Sequence, residues 1–282
     1  MTAAASQSPP PAEGLPAPEP KEKSNGLTGR VAVVTGSDSG IGRAIAIELA
    51  RAGAAVAVSY HSDRDGAEDT AERIRGLGRD TVCAELDVSD ADSVKTYFTQ
   101  VTTALGSVDI LVNNSGVEGD HEPLAGLSLA SWDQVMAVNL RGTFLCTQTV
   151  LSDMILRRRG VVLNITSVHE TIPWAGHAAY CASKAGISMM SRSLALELQD
   201  VGIRIVCLAP GAIATSINRE TRRDPAGMAD LLDKIPMRRV GKVAEIAAIA
   251  RMLVSDEASY VTGSTVTVDG GMTSYPSFSH GG

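Results

Sequence analysis

Cysteines are few in this sequence, and their spacing builds nothing. Cys83, Cys146, Cys181 and Cys207 form neither a C-x-x-C pair nor a dense framework. A disulfide scaffold and a thiolate metal site are therefore disfavoured, and a reducing, cytoplasmic compartment is expected. The five histidines are scattered without ligand spacing, so no metal is expected. No apolar run approaches the roughly 18 residues that a membrane span needs. Basic blocks are missing too. A formal net charge of −7 argues against nucleic acid and anionic membrane as partners. What is present is 44% hydrophobic content over 282 residues, enough to bury one sizeable core.

Half of the twelve prolines stand in the first 20 residues, at Pro9, Pro10, Pro11, Pro16, Pro18 and Pro20. Such a stretch cannot bury enough surface to offset its ordering entropy, so residues 1–28 are expected to be a disordered tail, with one domain over 29–282. From Arg30 onward two patterns alternate. Apolar, β-rich runs fall at 31–35, 56–60, 81–86, 110–112, 161–165, 203–208 and 265–268. Helical patterns lie between them at 41–52, 65–77, 90–105, 131–156, 178–198 and 243–253. This alternation predicts an α/β fold: a doubly wound, Rossmann-type parallel sheet of about seven strands, covered by helices on both faces. Ligands of such sheets bind where strands end, and the unusual residues here do follow strands.

After the first strand comes Thr35-Gly36-Ser37-Asp38-Ser39-Gly40-Ile41-Gly42. Its glycines permit a tight turn and close approach to a pyrophosphate, and the helix that opens there offers unpaired N–H groups. The spacing is G-x-x-x-G-x-G, a variant of the usual dinucleotide fingerprint. The second strand ends without an acid at Ser59 or Tyr60, and His61 with Arg64 can supply positive charge for a 2′-phosphate, while Asp38 and Asp63 oppose it. The expected cofactor is thus NADP, with dual use of NADP and NAD close behind. Asp87 and Val88 follow the third strand, either to meet an adenine or to cap the next helix. Asn113, Ser115 and Gly116 follow the fourth. Pro210, Gly211, Ile213 and Thr215 follow the sixth, and residues 216–240 read as a mobile substrate lid or a solvated insertion.

One stretch carries the chemistry. In HAAYCASKAGISMMS, Tyr180 and Lys184 stand four apart on a helical pattern, hence on one face. A free tyrosine titrates at about 10, and a nearby cation is expected to move it toward the working range as a base. Ser167 ends the fifth strand, thirteen residues before Tyr180, where a hydroxyl can hold a substrate oxygen. Asn139 falls on the apolar side of its helix, to bridge a water or to satisfy backbone locally. Glu118 and His169 are candidate contacts to substrate hydroxyls, or salt-bridged loop residues.

In this order, these motifs resemble the short-chain dehydrogenase/reductase family: TGSDSGIG its cofactor loop, NNSG its usual NNAG, and Asn139, Ser167, Tyr180 and Lys184 its catalytic tetrad. The resemblance implies hydride transfer between NAD(P) and an alcohol, with Tyr180 as base, Lys184 binding the nicotinamide ribose, and Asn139 holding a water. It also implies a homotetramer, with Tyr275, Pro276 and Phe278 buried between subunits. A narrower likeness, to bacterial glucose 1-dehydrogenases, lies in Ser167-Val168-His169-Glu170 with Ile172-Pro173-Trp174, in Ile235-Pro236-Met237 and in the C-terminal segment. It implies oxidation of D-glucose to gluconolactone. His61 departs from the arginine usual at its position. A reductase of another carbonyl and a non-catalytic dinucleotide sensor are the alternatives.

Overall fold

A computed structural model describes residues 26–215 and 223–274. Seven parallel strands form a single sheet in the order β3-β2-β1-β4-β5-β6-β7. They are β1 Val31–Val34, β2 Ala55–Tyr60, β3 Thr81–Glu85, β4 Ile110–Asn113, β5 Gly160–Ile165, β6 Ile203–Pro210 and β7 Thr265–Val268. β1, β4 and β5 are buried throughout, which is why they read as predominantly apolar runs. The order reverses between β1 and β4, and that switch point opens a crevice at the strands' C-terminal edge.

Side chains alternate across each strand and feed two cores. Ala32 and Val34 face one side with helix α1 (Gly40–Arg51), α2 (Arg64–Gly76) and the helix at Val243–Val254. Val31 and Val33 face the other with α3 (Ala91–Leu105), and with the helices at Gly142–Arg157 and Ala178–Glu197. Leu27 is buried in the first core and its N–H bonds Ala52 O, so the ordered domain begins before the boundary expected at residue 28. Asp109, at the foot of β4, is buried where it accepts from Val31 N–H and pairs with Arg157 at 2.8 Å.

Two expectations change. The helix expected over 131–156 is three pieces: α4 (Leu129–Val135), a π-helical turn (Met136–Arg141) and α5 (Gly142–Arg157). The region expected as a lid contains α7 (Pro225–Asp233), after α6 (Ala178–Glu197) and before α8 (Val243–Val254). Asp224 caps α7 and Pro225 sits in its first turn. The expected tail up to residue 25, lid residues 216–222, and Tyr275, Pro276 and Phe278 lie outside the described residues. Among those described, no helix is long and apolar enough to cross a membrane.

Candidate active site

Tyr180 and Lys184 stand on the first turns of α6, and Ser167 lies just past β5. The Ser167 hydroxyl stands near enough to the Tyr180 hydroxyl to favour its ionised form, so two O–H groups converge on one region. Lys184 is buried; its Nζ lies 5.6 Å from the Tyr180 ring centroid and donates to Ile165 O at 3.0 Å. Burial sets the charges here. It pushes Tyr180 up to about 12, against the lowering by Ser167 and with the Glu118 carboxylate adding to the rise. Burial also pulls Lys184 down to about 8, although Cys207 and Glu170 oppose this. The depressed tyrosine expected from the sequence is thus corrected: within the protein, Tyr180 is a phenol. Desolvation exceeds what an ammonium beside the ring, already engaged by a carbonyl, returns.

Asn139 is fully buried in the π-helical turn. Its Oδ1 accepts from Val117 N–H at 2.8 Å, and its Nδ2 donates to Val117 O at 2.9 Å and Ser183 Oγ at 3.0 Å. Of its two expected roles, the side chain performs the local one: it pins the chain after β4. A Cβ on Gly116 would lie 3.3 Å from Asn139 Oδ1 and 3.5 Å from Lys184 Nζ. The pinned loop thereby passes next to the lysine. Extra i→i+5 turns recur at such sites because they turn one side chain inward.

The glycine loop is a tight cradle. Gly36 and Gly40 have φ of +59° and +55°, a region glycine occupies without strain. A Cβ on Gly42 would stand 2.2 Å from Gly36 O. Ser39 does not cap α1, because its hydroxyl bonds Asp38, and no acid occupies the first turn. The N–H groups of Gly40 and Ile41 therefore open a helix end suited to an anion. This cradle fits a dinucleotide pyrophosphate. Ser37 does not take part through its side chain: it is buried, donating to Val34 O and accepting from Ser59 N–H.

The other strand-end residues divide. Thr215 approaches within 3.6 Å of where a Gly40 Cβ would stand, and Ile213 bridges to Gly241, so the β6 loop closes over the cradle. Pro210 ends β6, and Gly211 N–H bonds Val268 O where a Cβ would meet Asp269. His61 Nε2 lies 3.9 Å from Asp87 Oδ2 across the rim. Burial opposes ionisation of Asp87, but Ser89, with His61 and Arg141 nearby, holds it below the usual carboxylate range. Asp87 makes a turn with Ser89, and Asp90 caps α3 instead. The Val88 side chain is core, and Asn113 spends its amide on Thr147 and Asn164; for both, a ligand contact would come from backbone. Glu118 is half-buried and its carboxyl is pushed up by burial. His169 is pushed down by burial, with Nδ1 3.1 Å from Ile172 O.

Two side chains that sequence reasoning passed over hold the site together. Asn114 Nδ2 donates to Thr35 O and Gly36 O, and Thr35 Oγ1 accepts from the N–H groups of Asn114 and Ser115. A second polar residue beside Asn113, after a buried strand, was the available signal.

The family model described as enoyl-(acyl carrier protein) reductase matches residues 35–273. Glucose 1-dehydrogenase 2 of Bacillus subtilis is 45% identical over 89% of this chain and 97% of that protein. For 3beta-hydroxysteroid dehydrogenase 1 of Eggerthella lenta the figures are 43%, 90% and 98%. The crystal structure of a gluconate 5-dehydrogenase from Burkholderia cenocepacia, in complex with NADP and tartrate, is 34% identical with a TM-score of 0.84. That match covers 89% of this chain and 98% of the other.

Proposed function

The chain belongs to the short-chain dehydrogenase/reductase family of NAD(P)-dependent enzymes acting on CH–OH groups, and we propose that it is a glucose 1-dehydrogenase, oxidising D-glucose to gluconolactone. The observation that carries the substrate is its 45% identity to a glucose 1-dehydrogenase along nearly the whole of both chains. A bound dinucleotide supplies the hydride acceptor. Tyr180 and Ser167 hold the reacting oxygen, and Tyr180 moves its proton: outward in oxidation, inward in reduction. The phenol form found within the protein suits the reductive direction, so oxidation gains as pH rises. Lys184, on the same face, binds the nicotinamide ribose and supports the phenolate, and Asn139 shapes the loop beside it. Glu118, whose charge already reaches Tyr180, accepts from a sugar hydroxyl, and His169 flanks the same space.

The test is nicotinamide absorbance with D-glucose, other sugars, secondary alcohols and a 3β-hydroxysteroid, using NAD and NADP in parallel. Glucose-dependent reduction supports the reading. A response to the hydroxysteroid alone would replace it with the second reading, which the 43% identical relative favours. NADP is the preferred cofactor, with His61 as the cation at the end of β2. His61→Ala should therefore weaken NADP binding and leave NAD binding near wild type. Equal effects on both cofactors would remove His61 from the 2′-phosphate.

The working assembly is a cytoplasmic homotetramer. Phe144 and Leu156 on α5, with Met189 and Leu196 on α6, leave large apolar side chains exposed on one protomer, which burial between copies would explain. The four free thiols suit a reducing compartment. Light scattering is expected to give four chains per particle; a monomer would refute the assembly.

A further inference from the structure

Four rings outside the proton-transfer group stack beside Tyr180. His121, from the loop after β4, lies parallel to His177 with centroids 4.8 Å apart and planes within 7°. His177 packs on Trp174 at 3.7 Å, and Trp174 stacks on His169 at 4.4 Å and 18°. Trp174 and His169 then both meet the Tyr180 ring edge-on, at 6.1 and 6.3 Å. The stack joins segments that are separate in sequence. Glu122 N–H bonds Gly176 O at 3.0 Å, and His169 N–H donates to Ser167 Oγ at 3.2 Å. A Cβ on Gly176 would lie 2.2 Å from His121 Cδ2, so the loops meet without room for a side chain there.

We infer that Trp174 is a positioning residue for the reaction. By stacking on His169 and His177 it sets the loop that aims the Ser167 hydroxyl, and through His177 and His121 it sets the loop that carries Glu118. This deepens the proposed function and rests on it for the identity of the substrate. The argument is geometric. The orientation of Ser167 Oγ depends on where His169 N–H lies, the His169 ring rests on the indole, and the indole abuts the ring of the proton donor itself. Displacing a reacting group by about 1 Å costs on the order of 10²-fold in rate. Stacking also keeps water from the imidazoles: burial pushes His169 and His177 down, with His121 and His169 adding to the effect on His177. Their titration therefore reports the stack independently of turnover.

The experiment compares Trp174→Ala and Trp174→Phe with wild type. It reads kcat and KM on whichever compound of the panel wild type turns over, reduced-nicotinamide affinity by fluorescence, and imidazole titration by NMR. Trp174→Ala is expected to lose roughly 10²-fold in kcat with dinucleotide affinity within about twofold, while the His169 and His177 titrations move upward. Trp174→Phe restores a flat ring and should recover most of the loss. Unchanged kcat in Trp174→Ala despite the upward titration would overturn the inference, and so would equal losses in both variants. Should Trp174→Ala fail to bind dinucleotide, His121→Ala decides: it removes only the outermost ring, a loss of about tenfold is expected, and no change refutes the role. If wild type turns over nothing on the panel, the proposed function fails, and imidazole titrations unmoved by Trp174→Ala would overturn the positioning role separately.

Discussion

Tyr180→Phe is expected to lower kcat by roughly 10²–10⁴-fold, the usual contribution of a positioned proton donor or acceptor, while dinucleotide affinity and folding stay near wild type. The substitution removes one hydroxyl and keeps the ring. The edge contacts to Trp174 and His169 remain, as does the Lys184 ammonium 5.6 Å from the centroid. What is lost is the oxygen that Ser167 meets and the proton it carries. The pH profile supplies the sign. Burial pushes Tyr180 up to about 12, so below that value the base form grows with pH and the acid form is nearly saturated. Wild-type oxidation should therefore accelerate as pH rises, and reduction should not. In the variant the oxidative slope should vanish. Turnover within tenfold of wild type, or a slope left intact, would reassign the proton transfer to another group.

The strands were legible because they are buried on both faces. Val31–Val34 and Gly160–Ile165 present runs of β-branched and apolar side chains, broken in the second by Asn164, that no amphipathic helix would show. Ser167 was legible as a hydroxyl at a strand end, Tyr180 and Lys184 as a pair four apart on a helical pattern, and the glycine loop as a strand-to-helix junction. Less legible was anything decided by a partner distant in sequence. The break of the 131–156 helix into α4, a π-helical turn and α5 is stabilised by Asn139 bonding Val117 and Ser183, and periodicity near Asn139 does not encode those partners. The upward shift of Tyr180 had the same origin. Spacing placed the cation on the right face, but the extent of burial comes from α6 packing against β5 and the ring stack. Asn113 looked like a ligand contact because it follows a strand, yet its neighbour across the sheet, Asn164, takes its amide at 2.8 Å. The α7 helix was a different kind of miss. Asp224 followed by Pro225 is a start signal present in the sequence, hidden by a charged, glycine-containing surround.

Gly42→Ala should weaken both dinucleotides together, because the position has no room for a methyl group. A Cβ there would stand 2.2 Å from Gly36 O and 2.4 Å from Asn114 Nδ2. Neither neighbour yields freely: Gly36 O accepts from Asn114 Nδ2, and the same amide reaches Thr35 O. Relief requires the loop to move off α1 or the end of β4 to move off the loop, and either opens the cradle. Overpacking of this kind costs about 1–3 kcal/mol, which corresponds to roughly 5- to 150-fold in affinity when borne by the binding loop. The same strain in the free protein should lower Tm by roughly 2–10 °C for a domain of this size. Gly76→Ala is the matched control. It ends α2 with a negative φ and nothing within 4 Å of the added Cβ, so it should bind both cofactors as wild type does and melt slightly higher. Because the collision lies at the pyrophosphate cradle and not near His61, NAD and NADP must lose affinity by the same factor. A loss confined to NADP would mean that the helix N-terminus is not where the shared part of the two cofactors rests.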